Sequence, residues 1–159
     1  MKIKIIAVGN LKEEYLKDAA TEYRKRLGRY SKIEIVEVAE ERLSDKASQK
    51  NIENCLKREE DYILQHINDT EYVIIMAIEG QMITSEELAM KISDLMVTGQ
   101  SAITFVIGSS HGLSDGVKRR ANLSLSLSRM TFPHQLTRVI LLEQIYRAFK
   151  INHNEPYHK

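Results

Sequence analysis

Hydrophobic and polar residues alternate in two short stretches near the start of the chain, with a helical stretch between them. KIKIIAV at 2–8 and KIEIVEV at 32–38 have the period-two pattern of β-strands. The intervening stretch carries apolar residues at helical spacing, namely Tyr15, Ala19, Tyr23 and Leu27. We expect a helix there that ends at Gly28, because glycine commonly follows a helix C-terminus.

Two continuous apolar runs in the middle of the chain have the character of strands buried on both faces of a parallel sheet. They are YVIIMAI at 72–78 and AITFVI at 102–107. Between them, Thr84 and Glu87 have the spacing of a capping box, which predicts a helix over about 85–97. Two buried strands joined by a helix are thus expected in this region.

A long polar run from Glu40 to His66 separates these two regions. We interpret it as a helix with solvated charges and a narrow apolar face, formed by Ile52, Leu56, Ile63 and Ile67. Strands that alternate with helices predict an α/β fold, with a mostly parallel sheet flanked by helices. No repeat or linker divides the 159 residues, so we expect one domain over 1–159.

Composition and charge exclude several classes of protein. A single cysteine, Cys55, cannot form a disulfide framework or by itself a zinc site. No apolar segment approaches bilayer length and no signal-peptide core follows Met1, so we expect a cytoplasmic protein with no membrane association. The net charge of +1 conceals an asymmetry, since 117–159 carries eight Lys or Arg and two acids. This basic region fits docking onto phosphates or a solvated surface equally well.

Two stretches could carry chemistry. VIGSSHGL at 106–113 follows a buried strand, where α/β folds bind ligands, and Gly108 and Gly112 would let backbone amides approach one. It lacks the spacing of dinucleotide and phosphate loops, so a plain turn is the alternative. In NLSLSLS at 122–128 leucines alternate with serines, which predicts a strand with one apolar face. No nucleophile elbow surrounds these serines, which argues against a serine hydrolase.

The stretch from Pro133 to about Ile151 has apolar residues on more than one stripe, typical of a helix covered on more than one side. We expect its own core on one side and a second subunit on the other, hence a twofold homodimer. His134, His153 and His158 have no common metal-ligand spacing, so we expect no metal.

Three segments together resemble a known family: FVIGSSHGL, LSLSRMTFPHQLTRVILLEQIYRAFKI and the terminal NEPYHK. They are similar to the RlmH family of SPOUT-class RNA methyltransferases, as are the length and strand order. The resemblance implies a deep trefoil knot in the C-terminal part, a homodimer and S-adenosylmethionine as cofactor. It also implies methylation of ring nitrogen N3 of a pseudouridine in 23S rRNA, on assembled 70S ribosomes.

The resemblance also assigns cofactor-binding positions. Carried over by position, they are Met76, Gly108, Leu127, Ser128, Arg129, Met130, Thr131 and Phe132. Gly108 would leave room for the ribose or methionine moiety. The chain departs from the family pattern at Ser109, where a second glycine is usual, and at Ala77, where an acid is usual. Both departures bear on the affinity for the cofactor.

Methylation of N3 requires loss of its proton, so a base or a water path is needed. We expect His158, with Tyr157 beside it, to approach the target base in the partner subunit's site; the alternative is that both only order the tail or contact phosphate. Arg129, Arg138 and Arg147 are candidate contacts for RNA phosphate or cofactor carboxylate, or else surface or interface charges. Rival functions are a nucleotide-binding regulatory module and a ribosome assembly factor.

Overall fold

Five strands and five helices alternate along the chain in a computed structural model that describes residues 1–159. The elements are β1 (Lys2–Val8), α1 (Glu14–Leu27), β2 (Lys32–Val38), α2 (Gln49–Leu64), β3 (Tyr72–Met82), α3 (Ser85–Val97), β4 (Ala102–Ile107), α4 (Asp115–Arg120), β5 (Leu123–Ser126) and α5 (His134–Asn152). All strands are parallel, in the order β2-β1-β4-β3-β5. The predicted α/β fold with a parallel sheet flanked by helices is confirmed.

Several elements have the bounds that the sequence predicts. β1, β2 and β4 coincide with the predicted strands, and α3 begins at the predicted capping box. The Glu87 backbone N–H donates to Thr84 Oγ1 at 3.1 Å, and the Thr84 N–H donates to Glu87 Oε2 at 2.7 Å. Two N–H groups that lack helical partners are satisfied in this way.

Helix α1 faces the core with the predicted Tyr23 and Leu27, but at its start the buried residues differ from the predicted ones. Leu16, Ala20 and Leu27 are buried, whereas the side chain of Tyr15 is 70% exposed. In the first turns the buried residues are Leu16 and Ala20, each one position after the predicted Tyr15 and Ala19. Leucine and alanine pack against the sheet there, and the tyrosine stays in water. Gly28 ends the helix with a right-handed φ of −57°, so glycine's access to positive φ is not used there.

The polar run is helical only from Gln49 to Leu64, and two of its acids are not solvated. Ser48 caps α2, since its side chain accepts from the Asn51 N–H at 3.2 Å. Glu59 and Glu60 are 2% and 7% exposed, so the interpretation of these two charges as solvated surface was wrong. Short helix α4, which the sequence analysis did not predict, packs against the same side.

The sheet separates two hydrophobic cores. Alternate residues of β1 point to opposite faces, with Ile3 and Ile5 on one and Ile6 and Val8 on the other. The first core joins α1, α3 and α5 in 21 buried residues, whereas the second joins α2 and α4 in nine. We call these the α1/α3/α5 face and the α2/α4 face.

Most apolar residues of helix α5 are buried by contacts within the same chain. Its buried residues include Leu141, Ile145 and Phe149, which share one core with α1, α3 and the sheet. Neighbouring helices of the same chain therefore cover most of α5, while Leu136 in its first turn stays 37% exposed. The homodimer expected from this helix stays a prediction.

Candidate cofactor site

Three segments meet beyond the carboxyl ends of the central strands. Leu125 of β5 pairs with both Met76 and Gln81 of β3, so residues 77–80 loop out of the ladder. A Cβ at Gly80 would lie 2.8 Å from backbone atoms of Leu125, closer than real Cβ contacts. Glycine at position 80 therefore lets the two segments pass in direct backbone contact.

These segments enclose a cavity of about 720 Å³. Seven of the eight expected cofactor residues line it: Met76, Gly108, Leu127, Ser128, Met130, Thr131 and Phe132. Arg129 is exposed and is not part of the lining. Ala77 and Ser109, the two departures from the family pattern, also line the cavity.

The glycine loop, residues 108–113, folds back on itself. The Gly112 N–H donates to the Ser109 carbonyl at 2.9 Å, and Gly112 has a φ of +84°, which favours glycine. A Cβ at Gly108 would lie 2.5 Å from the Gly112 carbonyl oxygen. The turn itself therefore requires glycine at position 108, and Gly108 also lines the cavity.

Buried acids of α2 hold both ends of this loop. The Ser109 hydroxyl donates to Glu59 Oε1 at 3.2 Å, and the Ser114 hydroxyl donates to Glu60 Oε2 at 2.6 Å. Burial raises the pKa of the Glu59 carboxyl, against hydrogen bonds that lower it. The sequence analysis did not identify Glu59 or Glu60 as neighbours of the site. The available signal was their position on the apolar side of α2, beside Cys55 and Ile63.

A second wall of the cavity runs from Ser126 to Pro133. The Ser126 hydroxyl donates to the Ser128 carbonyl at 3.0 Å, and Ser128 Oγ accepts from the Met130 N–H at 3.0 Å. Met130 and Phe132 are 72% and 36% exposed, so this wall presents apolar surface that a ligand could cover.

The ionisable side chains in the lining are Glu79, Lys118, His111 and His134. Lys118 Nζ lies 2.9 Å from Glu79 Oε1 across the cavity wall. The hydrogen bond from Lys118 lowers the pKa of the Glu79 carboxyl.

The C-terminal tail lies against α5 and α3. Glu143 Oε1 accepts from the Tyr157 hydroxyl at 3.0 Å and from Arg147 Nη2 at 2.6 Å. His158 Nε2 lies 2.8 Å from Glu86 Oε1, and its Nδ1 lies 3.3 Å from Arg147 Nη1. Burial raises the pKa of the Tyr157 hydroxyl. Neither Tyr157 nor His158 lines the cavity of its own chain.

Arg138 is unsuited to the RNA contact expected of it. Its side chain is 2% exposed, and its guanidinium donates to Glu37 Oε1 at 2.5 Å and to the Gly9 carbonyl at 2.8 Å. A phosphate cannot reach a group enclosed in this way. We therefore correct its role to one of tying α5 to the ends of β1 and β2.

No group of three or more His, Cys, Asp or Glu side chains is placed to hold a metal ion. No helix has both the length and the apolar character required to cross a bilayer.

Residues 1–158 match a family model described as "Predicted SPOUT methyltransferase". A Streptococcus suis protein named ribosomal RNA large subunit methyltransferase H is 52% identical over 159 residues, with all of both chains covered. A Bifidobacterium adolescentis protein of the same name is 56% identical over 160 residues, again with full coverage of both.

A Legionella pneumophila protein assigned to the methyltransferases, and solved with S-adenosylmethionine as its bound cofactor, has a similar fold. Its TM-score is 0.52 at 13% identity, over 94% of this chain and 66% of that one. The parallel sheet, the cavity at its carboxyl edge and the family match agree, and the chain belongs to the SPOUT methyltransferase family.

Proposed function

We propose that this protein is an S-adenosylmethionine-dependent methyltransferase that modifies ring nitrogen N3 of a pseudouridine in 23S rRNA. Its substrate is the assembled 70S ribosome, which places the reaction in the cytoplasm. The observation that carries the proposal is the cavity, because seven residues expected to bind the cofactor converge on it from three separate segments. The names of the full-length relatives support large-subunit rRNA as the target.

The lining fits the cofactor. Met76, Leu127 and Phe132 supply apolar surface for the faces of an adenine ring, and loop amides and carbonyls are available for its edge. About 720 Å³ lies within the range of small-molecule sites. When bound, S-adenosylmethionine supplies an electrophilic methyl group, and the chain's task is to orient it and exclude water.

The proton on N3 must be accepted by a base as nitrogen bonds to the methyl carbon. We assign this role to His158, acting in the site of a second subunit, with Tyr157 positioning the target base. Its partial exposure and its absence from its own chain's cavity support this assignment. A histidine side chain can accept a proton and release it again, which suits it to this task.

The tail assignment has a direct test. His158→Ala should lower the single-turnover rate at saturating ribosome by about a hundredfold while leaving cofactor affinity unchanged. An unchanged rate would mean that the contacts of His158 with Glu86 and Arg147 only order the tail.

We further propose that the protein is a homodimer, since large apolar side chains are exposed on the segments that form the cavity. Ile78, Met130 and Phe132 line the cavity, and Met82 and Leu136 lie four residues further along the same segments. A second copy is the partner that would cover this surface and bring a tail to each cavity. Arg129, exposed next to the cavity, is then the arginine best placed for rRNA phosphate.

The deep trefoil knot remains part of the proposal. What supports it is the backbone contact at Gly80, where β3 and β5 pass each other, and the excursion of residues 77–80 around Leu125. A knotted C-terminal part would hold the three cavity segments together.

The function is tested with methyl-labelled S-adenosylmethionine and ribosomes from a strain that lacks this gene. Label on one pseudouridine of intact 70S ribosomes, absent when that position stays uridine, is the expected result. Cofactor binding without transfer to any ribosome would favour the regulatory module. Ribosome binding that is insensitive to the cofactor would favour the assembly factor.

A further inference from the structure

Glu59 is a buried carboxylate directly behind the glycine loop. Its side chain is 2% exposed, and no cation lies within ion-pair distance of it. Its neighbour Glu60, by contrast, pairs with Lys57 Nζ at 2.7 Å. Burial of an unpaired carboxylate opposes folding, so its presence calls for an explanation in terms of what it contacts.

The contacts of Glu59 lead to the cavity wall. Oε1 accepts from the Ser109 hydroxyl, while Oε2 accepts from the Glu41 N–H at 3.3 Å and lies 3.8 Å from Cys55 Sγ. Ser109 in turn accepts from the His111 N–H at 3.4 Å, and its carbonyl closes the turn with Gly112. One side chain thus ties helix α2 to the turn that forms part of the lining.

The other end of the loop is held by the next residue of α2. Ser114 caps α4, since its Oγ accepts from the Val117 N–H at 3.2 Å while its hydroxyl donates to Glu60. A Cβ at Gly116 would collide with the Glu60 carboxylate. Adjacent acids of α2 therefore fix both ends of the segment from Ser109 to Gly116, and the Glu59–Ser109 bond is the one that reaches the cavity lining.

We propose that Glu59 is a positioning residue for the cofactor, acting through Ser109 to hold the glycine loop in the conformation that lines the cavity. The inference rests on the proposed cofactor site. It gives Ser109 a function of its own in this chain, because a glycine there would offer no hydroxyl to the carboxylate. A hydrogen bond of ordinary strength changes an equilibrium constant by up to about tenfold, which is enough to favour one conformation of a short turn.

The test is a double-mutant cycle on cofactor affinity, measured by calorimetry on the full chain. Ser109→Ala should weaken S-adenosylmethionine binding about tenfold, and Glu59→Gln by a smaller factor of about threefold. The double variant should bind no more weakly than Ser109→Ala, because Ser109→Ala removes the one interaction that Glu59→Gln weakens. The KM for ribosomes should stay unchanged in all three.

The variant Ile63→Val distinguishes a positioning role of Glu59 from a purely structural one. It shortens a buried side chain one turn further along α2. This control should lower the unfolding midpoint and leave cofactor affinity unchanged. Affinity within twofold of the parent in Ser109→Ala, additive losses in the cycle, or an equal affinity loss in Ile63→Val would overturn the inference. Failure of the proposed cofactor site would give a different result. Phe132→Ala, on the opposite wall of the cavity, would then also leave cofactor affinity unchanged.

Discussion

The α1/α3/α5 face of the sheet and the α2/α4 face differ in what they bury. The first joins 21 buried residues in one hydrophobic core, whereas the second joins nine and encloses Lys4, Glu59, Glu60 and Glu71. Apolar burial is the main source of folding free energy, so the first face carries most of the stability. The second face holds the glycine loop, where Glu59 accepts a hydrogen bond from Ser109 and Glu60 accepts one from Ser114.

The charged groups of the α2/α4 face form two sets. Glu59 and Glu60 lie behind the glycine loop, while Lys4 and Glu71 form an ion pair at 2.6 Å near the starts of the strands. Thr104 Oγ1 also donates to Glu71 at 2.6 Å. The second set is fully paired, whereas in the first set Glu60 pairs with Lys57 and Glu59 has no cation partner. This difference fits a structural role for Lys4 and Glu71 and a positioning role for Glu59.

The largest effect should come from the apolar face. Phe149 is 1% exposed and stacks on Tyr30 with ring centroids 5.5 Å apart. Phe149→Ala should lower the free energy of unfolding by about 4 kcal/mol in urea titrations, through lost burial and a cavity. Tyr15→Ala, at a 70% exposed site, is the control and should change little. Equal losses in both would contradict the difference between the faces.

The ion pair of the polar face should come next. Glu71→Gln leaves Lys4 buried without its counter-charge and should cost about 3 kcal/mol near neutral pH. Burial alone would raise the pKa of Glu71, but hydrogen bonds from Lys4 and Thr104 outweigh it and lower the pKa. The carboxylate therefore stabilises the fold above its unfolded pKa, and this contribution is lost as the pH falls through the folded value.

Urea titrations at several pH values check this prediction. The difference between the parent and Glu71→Gln should shrink in acid, while the exposed Glu53→Gln should follow the parent throughout. A difference that grows as the pH falls would show that the pKa is shifted the other way.

A change in the glycine loop should affect function more than stability. Gly108→Ala forces the turn apart, because the new Cβ would lie 2.5 Å from the Gly112 carbonyl. Calorimetry should show about a hundredfold weaker cofactor binding. Gly99→Ala is the matched control for Gly108→Ala. Its φ of +82° strains alanine, but no atom lies within 4 Å of the new Cβ. That control should lose stability and keep its affinity; the reverse pattern would contradict the site.

The smallest effect concerns the apolar wall of the cavity. Phe132→Ala should weaken cofactor binding about tenfold by removing one apolar surface, with little effect on unfolding. Tyr62→Ala provides a control of similar size and exposure outside the lining. Comparable losses of affinity in both variants would mean that Phe132 is not a contact.

Elements with strong local signals were predictable from the sequence. Alternation placed β1 and β2, and the capping box placed α3, because these signals depend on neighbouring residues. The buried stripe of α1 was misplaced at Tyr15, since helical spacing alone does not decide which of two overlapping stripes faces the sheet. Short α4 has too few residues for a periodic pattern to appear.

The candidate site was predictable through the resemblance and not through residue patterns. The glycine loop on its own fitted a plain turn, and the contacts of Glu59 and Arg138 join residues far apart in the chain. Charged residues are usually solvated, so only the three-dimensional partners show that Glu59 meets Ser109 and that Arg138 meets Glu37.

The central claim is that the cofactor binds in the cavity lined by the glycine loop, with Glu59 behind that loop. Hydrogen exchange of backbone amides, with and without S-adenosylmethionine, tests this claim most directly. We predict that protection rises at residues 108–116 and 126–132 and stays constant in α1, α3 and α5. Protection that rises on the α1/α3/α5 face, or that leaves both cavity segments unchanged while cofactor binds, would contradict the account.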